Sequence, residues 1–192
     1  MKTRNIMIVG VGGQGTLIAS RILGYIATAA GYDVKLSEVH GMAQRGGSVV
    51  TFVRYGDKVE EPIVEPGQAD VLIAFERLEA KRYAHYLKPD GVLICNDTRI
   101  DPMPVRIGTA KYPENILEDI AKDHTVYKAD ATEIALGLGN ARCFNVVILG
   151  MAARHMDYSV EDWYAAIEHT VKPKTIELNK KAFDAGYQLT GE

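Results

Sequence analysis

The run Gly10-Val11-Gly12-Gly13-Gln14-Gly15 follows an apolar stretch, Asn5 to Val9, and precedes a periodic one, Gly15 to Ala30. Glycines at these spacings let a backbone turn sharply and approach a ligand without Cβ clashes. They also leave N–H groups open at a helix start, where the helix dipole favours negative charge. The chemistry on offer is the binding of an anionic group, a phosphate above all, by Gly10, Gly12, Gly13, Gln14, Gly15 and Thr16. A tight turn that binds nothing is the alternative, but the extra Gly13 and the small polar Thr16 open the turn further than packing alone requires.

A second segment, His40 to Ser48 (HGMAQRGGS), sets the permanently charged fork of Arg45 beside Gly46 and Gly47 at the end of an expected strand. This is where open α/β sheets bind ligands, and a guanidinium there offers a second anion contact. The competing reading is a surface turn with a solvated arginine, in which His40 and Met42 only pack the loop. Glu38 stands about twenty residues past the glycines, where a dinucleotide-binding fold holds a ribose hydroxyl. Pairing of Glu38 with Arg45 or with solvent explains it equally well. No Tyr/Lys or His/Asp arrangement stands out, so no catalytic acid, base or nucleophile is assigned.

The elements that must carry these segments alternate. Asn5 to Val9 reads as a buried strand, Gly15 to Ala30 as an amphipathic helix ended by Gly31, and Asp33 to Val39 as the next strand. Val49 to Tyr55 follows as a strand, then a tight hairpin turn at Tyr55 to Val59, which predicts an antiparallel stretch near a sheet edge. Asp70 to Phe75, a helix over Leu78 to Leu87 and Val92 to Cys95 restore the parallel rhythm. A strand near Val105 to Ala110, a helix over Pro113 to Lys122 and a short strand Thr125 to Lys128 come next, and from Ala131 the chain turns helical. Ser159 and Asp162 suit a capping box, and Pro173 opens the terminal helix. The expected fold is a single Rossmann-like three-layer α/β/α domain over residues 1–192, with a mostly parallel or mixed sheet and a helical C-terminal region.

Composition bounds the partners. With 192 residues, 47% hydrophobic and 24% charged, and a net charge of −3, the chain has the core of one domain but no basic field for nucleic acid. The apolar run at Ile6 to Val9 is too short for a signal-peptide core, no later run suits a membrane span, and the expected location is the cytoplasm. Cys95 and Cys143 lie in apolar stretches and read as buried structural thiols. Two cysteines cannot supply the four thiolates of an ordinary iron–sulfur cluster, and the five histidines show no zinc spacing, so no metal is expected on this chain.

The GVGGQG turn, the stretch SEVHGMAQRGGSVVTFVRYG and Gly139-Asn140-Ala141-Arg142-Cys143-Phe144-Asn145-Val146-Val147 together resemble the small (gamma-type) subunit of 2-oxoacid:ferredoxin oxidoreductases, in the wording of the indolepyruvate type, subunit beta. Members acting on pyruvate or 2-oxoglutarate share mainly the Arg-Gly-Gly core. The resemblance implies a large alpha subunit that holds thiamine diphosphate and iron–sulfur clusters, with coenzyme A as cosubstrate, a 2-oxoacid as substrate and ferredoxin as acceptor. This chain would bind none of the cofactors alone, would complete the site and help bind coenzyme A, and could form a homodimer when isolated. It carries no GDG segment with paired asparagines of the thiamine diphosphate kind, consistent with that division. Asn140, Arg142 and Asn145 could line the subunit interface or cap a helix. Tyr158, Trp163 and Tyr164 could cradle an aromatic substrate, though core or interface anchoring explains such aromatics more often. Two other readings stand beside this one, a free-standing NAD(P)-binding oxidoreductase and a ligand-sensing module without turnover.

Overall fold

The computed structural model describes residues 2–41 and 46–189. Six strands form one sheet: β1 (Arg4–Val11), β2 (Asp33–His40), β3 (Ser48–Gly56), β4 (Ala69–Ala74), β5 (Leu87–Asn96) and β6 (Thr125–Ala129), in the order β2-β3-β1-β4-β5-β6. β1, β4, β5 and β6 pair in parallel, whereas β3 lies antiparallel between β1 and β2. The sheet is therefore mixed, and the expected α/β architecture with an antiparallel edge is what forms.

Side chains alternate along β1 because a strand turns successive residues to opposite faces. Ile6 and Ile8 enter one core, with α1 (Thr16–Ala29), α6 (Phe144–Ala153), α7 (Val160–Thr170) and α8 (Ile176–Tyr187) above them. Met7 and Val9 enter the other, against α2 (Arg77–Tyr83) and α4 (Ile116–Ile120). Each fully buried Ile or Leu side chain contributes about 1.5–3 kcal/mol relative to exposure, so both faces of the sheet are strongly held. In chain order α3 (Met103–Arg106) follows β5, and α5 (Ala131–Gly137), whose Ala131 and Ala135 join the first core, follows β6. Every residue of α6 from Asn145 to Ala153 is buried, which explains a sequence that is apolar all round. The Ser159–Asp162 capping box is present at α7, and Pro173 opens a single 3-10 turn that runs into α8.

Four expectations need correction, the first at α4, which begins at Ile116 after the Asn115 cap rather than at Pro113 and ends at Ile120. Val105 to Ala110 is not a strand. Pro102 and Pro104 start the one-turn α3, and the chain then curls at Gly108 (φ 77°), with the Pro104 carbonyl accepting from Thr109 and Ala110. The sheet position beside β5 is taken by β6 instead. Tyr55 to Val59 is not a hairpin: Gly56 ends β3 opposite Asp33, and the Asp33 carboxylate accepts from the Val59 N–H at 2.9 Å without a returning strand. The antiparallel pair is β2–β3, in register from Asp33 opposite Gly56 to His40 opposite Val49. The helix expected over Leu78 to Leu87 stops earlier, because Ala84–Tyr86 form a 3-10 turn and Leu87 already begins β5.

Candidate anion-binding site

The glycine turn leaves the C-terminal end of β1 and opens α1. Its shape is set by Gln14, whose side chain folds back: Oε1 accepts from the Val11 N–H at 2.7 Å, and Nε2 donates to the Phe75 carbonyl at 3.0 Å. Both polar ends of Gln14 are thus spent on the turn. Gly10 lets this happen, since a Cβ there would stand 2.9 Å from Gln14 Oε1 and 3.2 Å from Phe75 Cβ.

Antiparallel pairing of β1 with β3 brings Gly46 and Gly47, which lead into β3, to the same place. Val11 faces Ser48, and one rung further the Gly12 N–H donates to the Gly47 carbonyl at 2.8 Å, while the Gly46 N–H donates to the Gly12 carbonyl at 3.4 Å. Two glycine segments far apart in the chain therefore form one continuous ladder.

Beyond this ladder, Gly13 (φ 101°) and Gly15 (φ 87°) adopt left-handed backbone, which side-chain-bearing residues rarely reach. The space beside Gly13 is open, whereas beside Gly15 the buried Asn145 amide stands where a Cβ would go. Gly15 caps α1 with no side-chain acceptor, and the first turn holds no acidic residue. The N–H groups of Thr16 and Leu17 have no partner among the described residues. They meet a cleft of about 390 Å³ lined by Gly12, Gly13, Thr16, Leu17, Glu38 and His40, with Gly15 and Val49 completing it. Partial positive charge from the helix end faces this cleft.

Glu38 approaches the same cleft from β2. Its Oε2 accepts from Thr16 Oγ1 at 3.3 Å and Thr51 Oγ1 at 3.1 Å. In a dinucleotide fold the acidic residue ends the strand next to the first; here β3 separates β2 from β1, and two threonines hold the carboxylate.

Of the sequence-derived residues, Gly12, Gly13, Gly15 and Thr16 line the cleft, Gly46 and Gly47 pair with Gly12, and Gly10 and Gln14 act inside the turn. Arg45, with Met42 and Gln44, lies outside the described residues. Asn140 accepts from the Arg142 N–H and caps a 3-10 turn, and Asn145 donates from Nδ2 to the Gly15 carbonyl at 3.4 Å. Trp163 is fully buried and stacks on Phe183, and Tyr164 donates to Asp184 at 2.6 Å; neither lines the cleft. Both cysteines are buried, and burial pushes each thiol up from its ordinary value.

Sequence reading missed a second group at the ends of β4 and β5. Arg77 pairs with Asp97, and Arg99 pairs with Asp101 while lying over the Tyr112 ring; Arg77, Asp97, Arg99 and Tyr112 line a cavity of about 330 Å³. Behind it, the buried Glu76 carboxylate accepts from Tyr112 OH and the Ile100 N–H. Charged residues that directly follow two parallel strands were the available signal. Among the described residues no cluster of His, Cys, Asp and Glu is placed to hold a metal ion, and no helix is long and apolar enough to cross a membrane.

The sequence profile of the pyruvate ferredoxin/flavodoxin oxidoreductase family matches residues 5–189. Indolepyruvate oxidoreductase subunit IorB of Pyrococcus horikoshii is 42% identical, over 100% of this chain and 98% of its own length. The subunit of the same name from Archaeoglobus fulgidus is 45% identical, over 95% and 93%. The crystal structure of pyruvate oxidoreductase subunit PORC from Thermotoga maritima superposes with a TM-score of 0.74 at 25% identity, covering 98% of this chain and 97% of that one.

Proposed function

Because the chain belongs to the pyruvate ferredoxin/flavodoxin oxidoreductase family, as the small subunit of a 2-oxoacid:ferredoxin oxidoreductase akin to the indolepyruvate type, we propose that its glycine-turn cleft binds coenzyme A through the phosphates. The observation that carries this reading is the uncapped N-terminus of α1, opened by Gly13 and Gly15, facing a cleft of about 390 Å³. The Thr16 and Leu17 N–H groups would hold a phosphate, with Arg45 as a second contact and Glu38 placed to accept from a ligand hydroxyl. Cofactors held elsewhere supply the organic and electron-transfer steps: thiamine diphosphate and iron–sulfur clusters on a large alpha subunit, with ferredoxin as acceptor. The two buried cysteines of this chain are no donor set for such clusters. The chain works as one domain in the cytoplasm, turns over no aryl 2-oxoacid by itself, and completes the site within the complex.

Leu17 offers the cleanest test. It is half exposed, lines the cleft and sits in the first turn of α1, where an acidic residue favours the helix by about 0.3–1 kcal/mol. In the assembled complex Leu17→Glu should leave folding intact yet repel a phosphate, raising the apparent KM for coenzyme A about tenfold or more while that for indolepyruvate stays unchanged. Arg45→Ala should raise the same constant about ten- to a hundredfold, the worth of a charge-assisted hydrogen bond of about 1.5–3 kcal/mol. If both variants assemble and the coenzyme A constant does not move, the cleft is not its site.

A further inference from the structure

Among the described residues two carboxylates are buried, and one of them, Glu79 of α2, reaches Ser48 at the start of β3. It is 4% exposed. Its Oε2 accepts from Ser48 Oγ at 2.5 Å, and its Oε1 meets Arg82 Nε at 3.2 Å. Tyr83 OH stands 3.4 Å from the same Ser48 hydroxyl. Both carboxylate oxygens are thus engaged inside the fold, and Glu79 does not line the cleft.

The backbone beneath Glu79 is equally fixed. Its N–H donates to the Glu76 carboxylate at 2.9 Å, and Glu76 in turn accepts from the segment after β5 through the Ile100 N–H and Tyr112 OH. Ser48 is the first residue of β3, and its neighbour Gly47 accepts from the Gly12 N–H of the glycine turn. The chain entering β3 is therefore gripped from two sides, by a side chain at Ser48 and by backbone at Gly47. A serine hydroxyl needs only a neutral acceptor, and burying a charged group is costly. A carboxylate held here gives a shorter and stronger bond than a neutral acceptor would.

We propose that Glu79 is a positioning residue for the ligand cleft: by accepting the Ser48 hydroxyl it fixes Gly46 and Gly47 against the glycine turn, and coenzyme A affinity depends on that grip. The proposal rests on the assignment of the cleft to coenzyme A. Glu79 acts through Ser48 and touches no reacting atom.

The test uses the assembled complex carrying Ser48→Ala, Glu79→Ala, the double variant or Glu79→Gln. Hydrogen exchange at the Gly12 amide, followed by mass spectrometry in peptides spanning the turn, reports the grip without reference to ligand. Ser48→Ala and Glu79→Ala should each speed that exchange and raise the apparent KM for coenzyme A about three- to tenfold, with kcat and the KM for indolepyruvate within about twofold of wild type. The double variant should be no worse than either single one, because both remove the same bond. Glu79→Gln, which still accepts from Ser48 through a weaker neutral bond, should recover most of both readouts lost in Glu79→Ala. Unchanged Gly12 exchange in Glu79→Ala overturns the proposal. So does faster exchange with an unchanged coenzyme A constant while Leu17→Glu still raises it. Should Leu17→Glu also leave that constant unchanged, the cleft assignment itself fails and takes the positioning role with it.

Discussion

The Asn145 amide of α6 occupies the place that a side chain on residue 15 would need, and it donates to the Gly15 carbonyl at 3.4 Å. Gly15 holds left-handed backbone at φ 87°, so the residue is constrained both by its own conformation and by a neighbour 130 positions away. Gly15→Ala should therefore destabilise through two separable causes, backbone strain of about 1–2 kcal/mol and displacement of the amide. Asn145→Ala alone should cost about 1–2 kcal/mol, a lost hydrogen bond plus lost contacts. Combined, the two should cost less than their sum by about 1 kcal/mol, since the displaced group is gone. Urea denaturation of all four proteins checks this, and strict additivity would show that the two residues do not compete for space.

Two helical glycines should respond to alanine with opposite signs. At Gly24 in α1 a Cβ would meet the end of the Leu36 side chain at 3.0 Å, and that end can rotate away. Helix propensity then dominates, and Gly24→Ala should stabilise by about 0.5–1 kcal/mol. At Gly186 in α8 a Cβ would run into the Val147 backbone of α6, and Gly150 of α6 faces the Phe183 backbone in the same way. Propensity favours alanine equally here, but the backbone cannot give, so Gly186→Ala should destabilise by about 1–3 kcal/mol. Denaturant midpoints moving in the same direction would refute the contrast.

Burial raises the Glu79 carboxyl above its ordinary value, and Ser48 and Arg82 pull it down without overcoming that rise. A group whose folded value is raised lends stability that is fully present below its unfolded value and is lost as pH climbs through the folded one. Ionised Glu79 therefore lowers stability at neutral pH. Glu79→Gln removes the ionisation, so its melting temperature should gain on wild type as pH rises from about 4.5, the ordinary carboxyl range, and then level off. Melting curves that stay parallel from pH 4.5 to neutrality would mean that Glu79 titrates alike in the folded and unfolded chain.

How much of this was legible follows from the range of each interaction. The glycine turn, β1 and α1 are adjacent in sequence, so spacing alone placed them, and the Ser159–Asp162 box is a four-residue pattern. That β3 slides between β1 and β2 is not local: Val34 alternates with polar Asp33 and Lys35, β3 is nearly continuously buried, and either pattern suits a parallel or an antiparallel strand. Val105 to Ala110 misled because alternation there competes with Pro104, and proline cannot donate to a sheet ladder. At the site, Gln14 reads as a ligand contact from its place among glycines. Only its two bonds, to Val11 and to Phe75, reveal that it shapes the turn instead. Glu79 was invisible for the same reason, since its partner Ser48 lies 31 positions away.

The residues lining the cleft all fall within the first 49 positions, yet the contacts that hold them and the chain beside them come later: Phe75 on Gln14 of the turn, Glu79 on Ser48 beside Gly47, Asn145 on Gly15. A chain made from its N-terminus exposes those lining residues early and receives their fasteners last, the final one from α6. The shape of the cleft is thus a late acquisition in biosynthesis, and a nascent chain stopped before α6 would carry every residue that lines it without the Asn145 contact at Gly15.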